Sequence, residues 1–167
     1  MLSKRVYAVN MKSDDASTAL SALFLDIFRA NARLTMAGDQ LVSPLGLTSA
    51  RWQILGAVAM APAPQPVAHI ARDMGSTRQG VQRLVNELLD GGFVELRENP
   101  HHRRAKLVCL TAKGRQAMDE IGKVQRPWVD GLAEGLDAPK IAVAAAVLEH
   151  LKRKLEEGIG ATGDGSE

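Results

Sequence analysis

The sequence of 167 residues leaves room for one domain of ordinary size, or one small module plus helices that pair it with a second copy, and it excludes a large multidomain enzyme. Apolar residues make up 46% and charged residues 24%, near the globular average, so a core can form without disulfide or metal staples. With 21 Lys plus Arg against 19 Asp plus Glu the net charge is only +2, and any nucleic-acid reading must rest on where the basic residues sit.

The single cysteine, Cys109, excludes an intramolecular disulfide framework and a multi-cysteine zinc cage, and fits a reducing, cytoplasmic compartment. The longest apolar runs, Ile54 to Ala61 and Ile141 to Leu148, fall well short of the roughly 20 residues that span a bilayer, so no membrane association is expected. Near the start, Lys4 and Arg5 precede only Val6 to Val9 before Asn10 intervenes, too short for the apolar centre of a secretory signal.

Residues 1–13 lack sustained periodicity and read as a flexible N-terminal segment. From Ala16 to Leu41 a long helix is expected, because Leu20, Leu23, Phe24, Ile27 and Leu34 recur at steps of three and four, with Asp14 or Asp15 as a cap. Pro44 and Gly46 break it, and Thr48 is placed to cap a second helix that carries Trp52, Leu55 and Val58 or Ala59. Pro62, Pro64 and Pro66 end that helix, and Pro66 suits the first turn of a short third one with Ile70, Ala71 and Met74 facing inward.

Gly75 ends the third helix and Ser76 follows at once. The run Ser76-Thr77-Arg78-Gln79 has the spacing of a capping box, which predicts Ser76 as the cap of a new helix and hence a tight helix-turn-helix. Val81, Leu84, Val85 and Leu88 form the apolar face of that new helix, and Gly91-Gly92 stops it. Alternation in Phe93 to Arg97, and in part of Lys106 to Leu110, predicts a two-stranded β-wing with a polar tip over Glu98 to Arg104. Thr111 caps a further helix that runs past Met118, Ile121 and Val124 to Trp128 and Leu132, with Pro127 expected to bend or interrupt it.

Asp137 and Pro139 start the last helix, with Ile141, Ala145, Leu148, Leu151 and Leu155 on one stripe. Beyond it, 158–167 reads GIGATGDGSE, a Gly-rich acidic segment expected to be a disordered tail. The fold class is therefore mainly α (α+β), a winged helix-turn-helix with long N- and C-terminal helices. The domains are a winged module at 43–110 and a helical dimerisation region at 14–42 and 111–157. The outer helices carry more apolar stripe than a small winged module can cover, which predicts a homodimer.

At about 100° per residue, Gln79, Gln82, Arg83 and Asn86 point away from the apolar face of the second helix of the pair. Arg forks onto the acceptor edge of guanine and Gln or Asn pairs with adenine, each worth about 1 to 3 kcal/mol of discrimination. Arg83 is the central candidate for reading double-stranded DNA. Free N–H groups at the helix start, with Ser76, Thr77 and Arg78, suit a backbone phosphate. A solvated polar face with no ligand is the alternative that this helix alone leaves open.

The wing tip adds His101-His102-Arg103-Arg104-Ala105-Lys106, in which Arg103, Arg104 and Lys106 are permanent cations with only Glu98 nearby to offset them. An Arg on such a tip can enter a narrow minor groove while its neighbours bind flanking phosphates. The two histidines lack the further ligands that zinc requires, so no metal is expected there. No cofactor and no enzymatic activity are expected either: the chain has no phosphate-cradling glycine loop, no metal-ligand cluster and no nucleophile beside a base. Cys109, in a wing strand with no second cysteine, reads as a packing or surface residue.

The chain closely resembles the MarR family of bacterial winged helix-turn-helix transcription regulators over roughly Ala16 to Leu155. The resemblance rests on Leu47-Thr48 followed by Trp52 and Leu55, on the run Gly75 to Val94, and on NPHHRRAKLVCLTAKG from Asn99 to Gly114. It implies a homodimer paired through the first and last two helices, with recognition helices in successive major grooves and wings in the minor groove. It also implies a repressor that occupies a near-palindromic operator and is released by a small molecule. The family often binds aromatic or phenolic anions in a crevice beside the dimer helices, which makes Arg33, Met36, Arg51 and Trp52 candidate effector contacts, although a tryptophan at such a place is more often simply core.

One position departs from the family pattern: an aspartate usually stands two residues before the second wing arginine, and here it is His102. The carboxylate that would orient the wing arginines is absent, which predicts a looser wing, or one whose positive charge rises below about pH 6.5. A winged module used for protein assembly, with the same polar helix face meeting a protein partner, stays open as the other reading.

Overall fold

The computed structural model describes residues 16–100, 102 and 104–162, with side chains as far as 158. The chain forms two compact units, one up to Gly122 and one from Lys123. Residues 1–13 and the possible caps Asp14 and Asp15 lie outside the described residues.

In the first unit, α1 (Ala16–Val42) is followed by a 3₁₀ turn (Ser43–Leu45), α2 (Ser49–Met60), β1 (Gln65–Pro66), α3 (Val67–Asp73), α4 (Arg78–Asp90), β2 (Val94–Arg97), β3 (Leu107–Leu110) and the start of α5 (Ala112–Ala133). Thr48 caps α2 as its sequence suggests: its side chain accepts the Arg51 N–H, and Asp39 of α1 takes the Ser49 N–H at 2.6 Å. Two of the N–H groups that a helix start leaves free are thereby satisfied from within the chain.

The core gathers Val42 and Leu47, Ile54 and Leu55 of α2, Ile70 of α3, Val81, Val85 and Leu88 of α4, Val108 of β3 and Ile121 of α5. Period-3.6 patterning places the α4 residues on one buried face, and Leu84 sits half-buried at its margin. Gly114, in the first turn of α5, lies so close to the strand region that an added Cβ would fall 2.0 Å from the Phe93 carbonyl oxygen. The Thr111 side chain fixes the same junction, donating to the Gly92 carbonyl at 2.7 Å and accepting the Gly114 N–H at 3.0 Å.

The wing is the expected hairpin, but the sheet has three strands in the order β1-β3-β2. Glu95 pairs with Cys109 and Arg97 with Leu107 across the hairpin, while Gln65 and Pro66 pair with Val108 and Leu107 on its other side. Pro66 therefore does not sit in the first turn of α3 as expected. It is the extended cap residue (φ −75°, ψ 157°) and belongs to an edge strand, where its missing N–H removes no bond from a central ladder.

In the second unit, α5 runs on through Pro127 without the expected interruption, and Gly135 in the left-handed region (φ +75°) follows its end. Pro127 is exposed, and so is Lys123 one turn before it, so the proline sits on the solvent side of the helix. The last helix, α6 (Ala138–Thr162), starts where Asp137 and Pro139 indicate. It continues into the glycine-rich segment expected to be a tail, while 163–167 lie outside the described residues. Its apolar stripe is open: Ile141 is 49%, Leu148 48% and Leu155 61% exposed.

Candidate nucleic-acid interface

The helix-turn-helix is built by a glycine at its corner. Gly75 adopts φ +59°, which L side chains rarely do, and this lets Ser76 N–H return to the Ala71 carbonyl at 2.9 Å and Gly75 N–H to Arg72 at 3.0 Å. With its N–H turned back to close α3, Ser76 does not cap α4 as the spacing predicts. Thr77 does so, extended at φ −73° and ψ 142°, its side chain accepting the Gly80 N–H at 3.1 Å. The far end of α4 closes in the same way as α3: Phe93 N–H bonds the Leu88 carbonyl at 2.9 Å, and Leu88 and Phe93 are both buried.

On the outward face of α4, Arg78, Gln79, Arg83 and Asn86 are exposed and Gln82 is half-buried. These five line one open surface. Arg78 and Gln82 also line a groove shared with Leu96, Arg104 and Lys106 of the wing, so the helix and wing candidates meet along one side of the first unit. Among the described residues no carboxylate pairs with Arg78, Arg104 or Lys106. Arg97, by contrast, is held by Glu95 at 2.6 Å, and that hydrogen bond and charge keep its guanidinium pKa above the ordinary value.

Three of these candidate side chains are already engaged on the helix surface. Gln82 Nε2 donates to Asn86 Oδ1 at 2.9 Å, and Arg83 Nη1 donates to Glu87 Oε1 at 2.6 Å. Sequence reasoning missed Glu87, although its four-residue spacing from Arg83 carries the signal. It also missed His69 of α3, which lines a groove with Arg78, Asn99, His102 and Arg104. No local spacing could have found that proximity, which arises only when the wing lies over α3.

At the wing tip Asn99 is the organising residue. Its Nδ2 donates to the Ala105 carbonyl at 3.0 Å, its own carbonyl accepts the His102 N–H at 3.2 Å, and Ala105 N–H bonds the His102 carbonyl at 3.0 Å. His102 and Arg104 are exposed; His101 and Arg103 lie outside the described residues.

Of the effector candidates, Arg33 and Met36 are exposed on α1. Trp52 is half-buried against the core, with a ring atom within 3.5 Å of the place a Cβ on Gly38 would take. Arg51 is tied down by a Nε bond to Thr48 Oγ1 at 3.3 Å. Cys109 is buried in β3, in keeping with a packing role. Among the described residues no group of His, Cys, Asp and Glu is fit to hold a metal ion, and no helix is long and apolar enough to cross a membrane.

The model of the MarR family matches residues 45–105, the stretch from the turn before α2 to the wing tip. An uncharacterized protein of Mycobacterium tuberculosis is 35% identical over 139 residues, 83% of this chain and 94% of that protein. The transcriptional activatory protein BadR of Rhodopseudomonas palustris is 25% identical over 125 residues, 74% of this chain and 71% of BadR. In fold, the chain is similar to a cysteine-to-serine mutant of MarR from E. coli complexed with operator DNA, with a TM-score of 0.72 at 22% identity over 82% of this chain and 98% of that one.

Proposed function

The chain belongs to the MarR family, and we propose that it is a transcription regulator, not an enzyme, that binds double-stranded DNA as a symmetric homodimer. One observation carries this reading: Arg78, Gln79, Gln82, Arg83 and Asn86 share one open surface, which Arg78 and Gln82 join to the wing cations Arg104 and Lys106. Base-reading side chains on a helix, flanked by uncompensated cations on a projecting hairpin, match the division between base contacts that specify and phosphate contacts that position. Arg103 belongs to the same wing set. Ser76 and Thr77 bring the start of α4 to a phosphate.

Homodimerisation is supported by apolar side chains left open in each unit: Leu25, Phe28 and Leu34 on α1, and Ile141, Val143 and Leu155 on α6. On this reading 14–42 and 111–157 pair the subunits and 43–110 reads DNA. Two-fold symmetry then calls for a near-palindromic site with half-sites about 10 bp apart.

The dimer acts as a repressor by occupying its operator, and a small aromatic or phenolic molecule contacting Arg33, Met36, Arg51 or Trp52 releases it. Activation is the second reading, favoured by the similarity to BadR, which is named as an activatory protein. Selection of duplexes from a randomised library by the purified protein, followed by transcription in vitro from a promoter bearing the enriched sequence, tests both. Enrichment of a near-palindrome supports the regulator and the sign of the transcription change separates repressor from activator. Recovery of no preferred sequence would turn the reading toward a protein partner.

A further inference from the structure

The carboxylate of Glu87 joins two arginines. Oε1 accepts from Arg83 Nη1 at 2.6 Å, while Oε2 lies 4.0 Å from Nε of Arg51 on α2. Arg51 is in turn anchored at the start of α2 through Thr48 Oγ1. Exposure falls along this chain, from 71% for the Arg83 side chain to 39% for Glu87 and 24% for Arg51. The reading arginine is thus tethered through a carboxylate to a sheltered guanidinium on a neighbouring helix.

We propose that Glu87 is a positioning residue that sets the sequence specificity of Arg83, an inference that rests on the reading of α4 as a DNA-recognition helix. An untethered Arg reaches a phosphate of any sequence as readily as a base edge, because its flexible stem lets the cation follow the strongest field. A bond from Nη1 to a carboxylate one turn along the same helix narrows that reach. It also offsets part of the charge, which weakens the sequence-blind attraction to phosphates. The remaining N–H donors of the guanidinium stay available for the two acceptors of guanine, where direction matters more than charge. Arg51 keeps the carboxylate from swinging away with Arg83.

An exposed pair at this spacing contributes little to folding, so Glu87→Gln is a clean probe of binding. Wild type, Glu87→Gln, Arg83→Ala and the double variant are titrated by fluorescence anisotropy against the library-enriched duplex and a scrambled duplex of equal length, across a series of salt concentrations. Glu87→Gln is expected to bind the scrambled duplex several-fold tighter and to lower the ratio of specific to scrambled affinity by about fivefold or more. Its log–log salt slope on the scrambled duplex is expected to steepen by about one phosphate contact. In the Arg83→Ala background the substitution is expected to leave the ratio unchanged, whereas a general loss of negative field would act alike in both backgrounds.

An unchanged ratio in Glu87→Gln, with Arg83→Ala still lowering discrimination, overturns the inference and leaves the recognition-helix reading standing. A fall in the ratio that persists without Arg83 also overturns it. If wild type enriches no sequence at all, the recognition-helix reading fails and the inference fails with it.

Discussion

The side-chain oxygen of Thr77 accepts the N–H of Gly80 at 3.1 Å, and this bond fixes the start of α4 one residue later than the Ser76 spacing suggests. Loss of a side-chain cap costs about 1 kcal/mol of stability. Thr77→Ala is therefore expected to lower the urea midpoint by the equivalent of about 1 kcal/mol, and Ser76→Ala by less than about 0.5 kcal/mol. The reverse order of the two variants in equilibrium unfolding would return the cap to Ser76.

Two glycines of α5 are expected to respond oppositely to the same substitution. At Gly114 an added Cβ would sit 2.0 Å from the backbone oxygen of Phe93, so Ala there must push α5 off the wing, at a cost of more than about 2 kcal/mol. At Gly122 an added Cβ meets nothing within 4 Å, and Ala replaces the more flexible residue in a helix, a gain of up to about 1 kcal/mol. Thermal melting of Gly114→Ala and Gly122→Ala beside wild type measures both; equal melting temperatures would refute the packing described at the junction.

These contrasts show where the sequence was legible. Thr48 as a cap, the helix end at Gly75, the stop at Gly91-Gly92 and the outward face of α4 all follow from chemistry within a few residues, and the structure reproduces them. The pairing of Gln65 and Pro66 with β3 did not follow, because it joins segments some forty residues apart that only the folded wing brings together. The same holds for Arg51 beside Glu87 and for His69 in the groove with Arg104. Ser76 misled for a different reason: its spacing fits a capping box, but the N–H that the box would give to Gln79 closes α3 instead, and Thr77, one residue on, supplies the cap oxygen.

Helix and wing cations are expected to fail in different ways when removed. Arg83→Ala is predicted to weaken binding to the enriched duplex by about fivefold to a hundredfold, corresponding to about 1 to 3 kcal/mol, with little change on a scrambled duplex. Arg104→Ala and Lys106→Ala are expected to weaken both duplexes alike and to flatten the salt dependence by about one contact each. Titration at two salt concentrations reads the distinction. Uniform loss in Arg83→Ala would place that side chain on a phosphate and move base reading to Gln79, Gln82 or Asn86.

Phe28 is 70% exposed on α1, so replacing it costs the single chain little, whereas in a dimer that buries it a charge would be forced into an apolar contact. Phe28→Glu is accordingly expected to sediment as a monomer at concentrations where wild type is a dimer, with its circular dichroism unchanged. Joining two half-site readers raises overall affinity by roughly a hundredfold or more when both can engage at once. The monomeric variant should therefore lose that margin on a near-palindrome while binding an isolated half-site as wild type does. A wild-type protein that sediments as a monomer would overturn the dimer itself, whereas a Phe28→Glu variant that remains a dimer and keeps its affinity would remove α1 from the subunit interface and leave the exposed stripe of α6 to account for the pairing.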